Sequence, residues 1–218
     1  MDDVRLRAVT HRADSGPWLR TALGIAALVV FFAVMLVVIA ALAFSVKVSG
    51  SSMEPTLSTG DRLLVDPFGK GEIHRFDIVE STLGDREIPV VKRVIGLPGD
   101  RIKVRADQDP PVVLVRPKDE DATHAVDNPT WAGRVGAKVA ACCAEDGTSL
   151  PGGRPAAWVT VPDGSYWVVG DNWGGSDDSR TFGFVKEAQV TARIVLRLQP
   201  VGGLGRLPDR ARLVPVEK

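Results

Sequence analysis

The chain has 218 residues, 44% of them apolar, with no net formal charge and a pI near 6.8. That length suits one compact domain with a core of its own plus an appendage. A balanced charge without blocks of one sign gives no electrostatic footprint for nucleic acid.

Residues 1–20 are polar and carry Arg5, Arg7, Arg12 and Arg20. Thr21 to Val46 follows without a charge, reading TALGIAALVVFFAVMLVVIAALAFSV. As a helix rising about 1.5 Å per residue, this run exceeds the roughly 30 Å hydrocarbon core of a bilayer. The apolar stretch of a cleaved secretory signal is only about 7–15 residues long. The run is therefore predicted to be an uncleaved membrane anchor, a cleaved signal ending at Ala41-Leu42-Ala43 being the alternative. The arginines precede the run and only Lys47 lies immediately beyond it. The positive-inside rule then puts the N-terminus in the cytoplasm and everything from Lys47 onward outside it, with a single pass.

Beyond the anchor, short β-branched runs alternate with turn residues. Strands are predicted over Arg62–Asp66, Phe76–Glu80, Ile88–Ile95, Arg101–Arg105, Val112–Arg116, Ala157–Val161, Ser165–Val169 and Val190–Leu198. Gly60-Asp61, Pro98-Gly99-Asp100 and Pro162-Asp163-Gly164 punctuate them. No long helical period follows residue 46. The expected fold is mostly β: a barrel or sandwich of short strands behind one transmembrane helix. Residues 47–105 and 157–200 form the expected core, 106–156 an inserted subdomain where the strand rhythm weakens, and 201–218 a C-terminal tail. Cys142 and Cys143 are adjacent, and disulfides prefer well-separated α-carbons, so two free thiols are expected. No cysteine or histidine spacing fits a zinc site.

Two residues offer reactive chemistry. Ser52 lies within Ser52-Met53-Glu54-Pro55-Thr56-Leu57, six residues past the apolar run. A serine needs a base to become a nucleophile. His11 is on the cytoplasmic side, and His74 and His124 lie in polar, loop-like contexts. Lys92 is the better candidate. Strand alternation puts it on one face with Val90 and Val94. Burial there would disfavour its charged form and leave an amine able to take a proton; the alternative is an edge lysine reaching water. Pro55 restricts the backbone near Ser52, whose N–H could serve an oxyanion. A third segment, Gly170-Asp171-Asn172-Trp173-Gly174-Gly175-Ser176-Asp177-Asp178-Ser179-Arg180, is rich in hydrogen-bonding groups. It does not fit an EF-hand, because Trp173 and Gly175 stand where oxygen ligands are needed. The stretch from Val46 to Ser52 spans at most about 20 Å, so the serine is expected close to the bilayer.

Taken in order, the anchor, the Ser52–Leu57 block with Gly60-Asp61-Arg62-Leu63-Leu64-Val65, the Val91-Lys92-Arg93-Val94-Ile95-Gly96-Leu97-Pro98-Gly99-Asp100 block and the Gly170–Arg180 block resemble the bacterial type I signal peptidases. Those are serine proteases with a Ser/Lys dyad. The resemblance implies Ser52 as nucleophile, Lys92 as general base and Ser176 as the serine that orients the lysine. It implies Val48, Met53, Leu57, Val90 and Val91 as substrate-binding positions. Arg93, Asp171, Asn172, Asp178 and Arg180 take structural support. Gly50 stands where some members carry a serine that aids the oxyanion hole. The implied activity is removal of signal peptides from exported preproteins after Ala-x-Ala, at the outer face of the cytoplasmic membrane. Expected partners are preproteins and the lipid bilayer, with no nucleic acid, no metal and no cofactor, and the chain is expected to act as a monomer. A cytosolic self-cleaving Ser/Lys repressor is disfavoured by the anchor, and a β-lactamase relative by the absence of any Ser-x-x-Lys spacing. A membrane-tethered binding module with a dead site is the reading from another class.

Overall fold

The computed structural model describes residues 16–66, 68–69, 73–105, 111–131, 142–149, 157–200, 203–207 and 211–216. It divides into two units, Met1–Ala43 and Phe44–Lys218. The first is helix α1 (Pro17–Ala43), none of whose residues is buried. Proline at the first helical position costs nothing, because that N–H has no partner in the helix. A helix apolar on every side has no polar face to give to water, and this one is long and apolar enough to cross a membrane. It begins and ends a few residues earlier than the predicted 21–46. Ser45–Lys47 pairs as a strand instead, and Val46 packs against a buried apolar cluster.

The second unit is built of β1 (Ser45–Lys47), β2 (Arg62–Asp66), β3 (Ile78–Ser81), β4 (Val90–Gly96), β5 (Arg101–Arg105), β6 (Val112–Arg116), β7 (His124–Asp127), β8 (Val159–Thr160), β9 (Ser165–Val169), a one-turn helix α2 (Ser179–Phe182), β10 (Val185–Lys186), β11 (Val190–Gln199) and β12 (Arg212–Pro215). Seven strands form one sheet in the order β1-β2-β11-β3-β4-β9-β10, and five form another in the order β12-β7-β6-β5-β8. Every ladder between these strands is antiparallel.

Alternation explains the second sheet. Ile102 and Val104 on β5 and Val113 and Val115 on β6 point inward, fully buried. They meet Trp167, Val169 and Ile95 from the first sheet in one cluster. In β9 all five residues are buried, as a strand covered on both faces requires. The chain crosses between the sheets at Leu97–Asp100, a turn closed by the Asp100 carboxylate. That carboxylate accepts the Leu97 N–H at 2.6 Å, the Lys118 N–H at 3.1 Å and Arg75 Nη1 at 2.7 Å.

Three expectations need correction. Residues 106–156 are not a unit apart from the core strands: β6 and β7 lie within them, yet they share a sheet with β5 and β8 from outside, as their registers show. Residues 106–110, 132–141 and 150–156 lie outside the described residues. The 201–218 segment is not a plain tail, because β12 extends the second sheet along β7. Cys142 and Cys143 are bonded to each other rather than free. Their peptide is cis, with α-carbons 3.0 Å apart, which is not the spacing assumed from sequence. Both are fully buried in the cluster that holds Trp131 and Trp173.

Candidate active site

β4 lies inside the first sheet, with β3 on one side and β9 on the other. Lys92 sits in its middle, opposite Val79, and is only 2% exposed. The segment after β1 brings Ser52 to it. Residues 51–57 turn tightly, with the Glu54 N–H bonded to the Ser51 carbonyl at 3.1 Å and the Leu57 N–H to the Met53 carbonyl at 2.9 Å. Met53 and Leu57 anchor this turn, both essentially inaccessible. Lys92 Nζ lies 2.7 Å from Ser52 Oγ and donates to it when protonated. When the amine is neutral, the same contact lets it accept the hydroxyl proton.

Lys92 is held well below the usual lysine range, at about 8, chiefly because burial disfavours its charge; Asp178 and Asp177 oppose the shift and Arg180 adds to it. Both opposing carboxylates have cationic partners of their own. Asp178 is engaged elsewhere: Arg180 grips it with Nε and Nη2, both at 2.8 Å, and the Gly170 and Arg180 N–H groups donate at 3.0 and 3.1 Å. It also caps α2. Asp177 is exposed and paired with Arg86 at 3.4 Å.

A second buried ion pair lies on the Ser52 side of the site. Arg93 donates Nε and Nη2 to Asp171 at 2.9 and 2.7 Å, with both side chains buried. Its Nη1 donates at 2.9 Å to the carbonyl of Phe76, a residue held at φ 75°. Asp171 also accepts from Thr56 Oγ1 and from Asn128 Nδ2. The next residue, Asn172, donates its N–H to the Ser52 carbonyl at 2.9 Å and its side-chain Nδ2 to the Ser51 carbonyl at 3.0 Å.

The structure brings the sequence candidates together with two differences. Ser176 does not hydrogen-bond to Lys92: its Oγ is buried and has no partner among the described residues. It stands instead against Gly170, where an added Cβ would come within 2.1 Å of Ser176 Oγ and 2.4 Å of the Ser52 carbonyl oxygen. Val48, Met53 and Leu57 share one apolar cluster with Leu63, Ile78 and Ile194, and Val91 packs against it. Val90 packs against a different cluster, the one containing Val79, Val94 and Val168. His74 reaches Asp77 and His124 reaches Glu120, whereas the partner of the Ser52 hydroxyl is Lys92. Three contributors were not read from sequence. They are Thr56, Asn128 and Arg197, which donates to the Thr56 carbonyl and pairs with Asp61 at 3.3 Å. The Asn128-Pro129 turn signal is the one local cue among them. Among the described residues no group of three or more His, Cys, Asp or Glu side chains could hold a metal ion.

The chain is similar to known proteins. The family described as signal peptidase, peptidase S26, matches residues 20–199. Signal peptidase I of Bacillus caldolyticus is 37% identical over 161 residues, covering 70% of this chain and 78% of that protein. Signal peptidase IB of Staphylococcus aureus strain Mu50 is 31% identical over 155 residues, covering 70% of this chain and 76% of that protein. A crystal structure of a signal peptidase I from Enterococcus faecalis V583 is 31% identical, with a TM-score of 0.41 over 56% of this chain and 95% of the other. On the extent of the family match and the identity to these relatives, the chain belongs to the signal peptidase family of serine peptidases, peptidase S26.

Proposed function

We propose that this chain is a membrane-bound endopeptidase that removes N-terminal signal peptides from exported preproteins, with Ser52 as nucleophile and Lys92 as general base. The observation that carries the reading is the 2.7 Å contact between Lys92 Nζ and Ser52 Oγ, made by a lysine that burial holds at about 8. Neutral Lys92 takes the Ser52 proton as Oγ attacks the scissile carbonyl. The backbone N–H of Ser52, which bonds to no described group, receives the developing oxyanion. The tetrahedral intermediate collapses, the C–N bond breaks, and protonated Lys92 gives its proton to the leaving amine. Lys92 then takes a proton from water as the water attacks the acyl-enzyme. The C–O bond to Ser52 breaks and Oγ recovers a proton from Lys92. The turn that carries Ser52 packs Met53 and Leu57 into an aliphatic cluster with Val48, against which Val91 rests, and the proposed preference is for small side chains such as Ala-x-Ala. Val90 and the orienting role of Ser176 remain part of this reading. The anchor holds the enzyme in the cytoplasmic membrane with its N-terminus inside and its catalytic domain outside, where the preprotein emerges.

The test is cleavage of a model preprotein in detergent by wild type, Ser52→Ala and Lys92→Ala, with mass analysis of the new N-terminus. Cleavage after Ala-x-Ala that disappears in both variants is expected. Binding without turnover in the wild type would overturn the reading and leave a tethered binding module. Full activity of Lys92→Ala would remove the lysine from its role.

A further inference from the structure

Asp171 is where three parts of the chain meet. Its fully buried carboxylate accepts two bonds from Arg93 on β4, one from Thr56 in the nucleophile turn and one at 3.2 Å from Asn128 Nδ2, just past β7. An ionised carboxylate offers about four acceptor positions, and these donors fill them. Arg93 supplies the opposite charge, and Thr56 ties down the serine turn. Asn128 is neutral and belongs to the other sheet, so neither of those purposes accounts for it.

The orientation of Asn128 is fixed from behind. Its Oδ1 accepts both the N–H of Thr130 at 3.1 Å and Thr130 Oγ1 at 2.8 Å. With the oxygen engaged twice, the amide nitrogen must face Asp171. The next residue, Trp131, packs against Trp173 with ring centroids 4.9 Å apart. The 128–131 turn therefore touches the 171–173 segment twice, once by hydrogen bond and once by ring contact. That segment holds the Ser51 and Ser52 carbonyls through Asn172.

We propose that Asn128 is a positioning residue for the nucleophile. Acting through Asp171 and Asn172, it sets where Ser52 stands relative to Lys92, and this makes the second sheet part of the catalytic apparatus. The inference rests on the reading of Ser52 and Lys92 as the reacting pair. A displacement of about 1 Å at a reacting atom can cost about 100-fold in rate, so one missing donor at this junction is felt in turnover before it is felt in binding.

The experiment uses the full chain in detergent with a peptide carrying Ala-x-Ala. Asn128→Leu keeps the branched outline of the side chain and removes the donor, and Thr130→Val leaves the donor but removes one of the two bonds that hold Asn128 Oδ1 from behind. Asn128→Leu is expected to lower kcat by about 10- to 100-fold, with KM changed less than about threefold and the protein fully folded by thermal melting. Backbone amide exchange at Asn172 is expected to speed up. Thr130→Val should move kcat the same way by a smaller factor. Wild-type kcat and wild-type Asn172 protection in Asn128→Leu would overturn the proposal, and so would a fall in kcat matched by an equal loss of folded protein. If the wild type cleaves nothing while Ser52→Ala behaves identically, the peptidase reading fails on its own. Exchange at Asn172 still decides whether Asn128 holds the serine turn.

Discussion

On the proposed reading, Lys92 trades stability for reactivity. Its proton must be off for it to act as a base, and burial has brought that event down to about 8. The expected kcat/KM profile therefore rises with pH through about 8 and is lost below it. Asp177 opposes this lowering from an exposed position. Asp177→Asn should move the rising limb toward lower pH by about a few tenths of a unit, screened further by salt; a limb that moves upward or stays put would contradict the assigned electrostatics. The same burial has a folding consequence. The unfolded chain keeps the lysine proton up to about 10.5, the folded one only to about 8. Between those values the unfolded state binds more protons, so stability rises with pH across that window and sits at its lower level beneath it. Lys92→Met removes the buried charge. It should abolish cleavage, yet unfold at higher temperature than wild type below pH 8, with a gain of roughly 1 to 3 kcal/mol that shrinks as pH rises. Melting curves of the two proteins at pH 6.5 and pH 10 check this.

At the scale of elements, the end of β9 governs the site. Gly170 follows the strand directly and passes between Ser176 and the Ser52 carbonyl with no room for a methyl group. One neighbour is backbone and cannot swing aside. Gly170→Ala should push Ser52 away from Lys92, cost roughly 1 to 3 kcal/mol of stability and lower kcat by about 100-fold; full activity in that variant, measured beside its melting temperature, would show that the close approach has no catalytic weight. The strand leading to this glycine was legible in the sequence, because Ser165–Val169 is a short β-branched and aromatic run closed by turn residues. Ser52 and Lys92 are each ambiguous in local sequence, a serine beside a turn and a lysine that could equally reach water from an edge; only the ordered set of blocks singled them out together. What sequence did not reveal is what joins distant segments. Asn128 is 43 positions from Asp171, and Thr56 is 115 positions from it. Nothing local in either residue announces that partner. The second sheet was hidden only in part. β5, β6 and β8 fall within predicted strands, whereas β7 and β12 were not read, and β12 is defined by its pairing with β7. The end of α1 moved because apolar character alone does not distinguish a helix from a strand at Phe44–Val46; pairing with β2 decides it.

At the scale of the whole molecule, the proposed function divides specificity between the side chains around Ser52 and the place where Ser52 is held. An aliphatic lining discriminates by only about 1–3 kcal/mol per methylene, which is too little to single out one small-residue motif among all exported chains. On that reading, the short chain between anchor and serine supplies what such a lining lacks. α1 ends at Ala43, the Phe44 carbonyl already accepts the Val65 N–H at 2.9 Å, and β1 begins at Ser45. From there to Ser52 the chain stays tied to the sheet, the Val48 N–H donating to the Asp61 carbonyl at 2.8 Å. On the proposed reading, the covalent path from Ala43 to Ser52, at most about 30 Å when fully extended, keeps Ser52 near a bilayer that holds α1 and concentrates it on substrates held in the same membrane. Inserting about twelve Gly/Ser residues between Ala43 and Phe44 adds a flexible reach on the order of 20 Å without touching the site. In proteoliposomes the insertion should lower cleavage of a membrane-inserted preprotein by about tenfold, while kcat/KM for a short soluble peptide stays at the wild-type value. Equal losses on both substrates would mean that the insertion damaged the fold, and no loss on either would return the whole burden of specificity to the pocket.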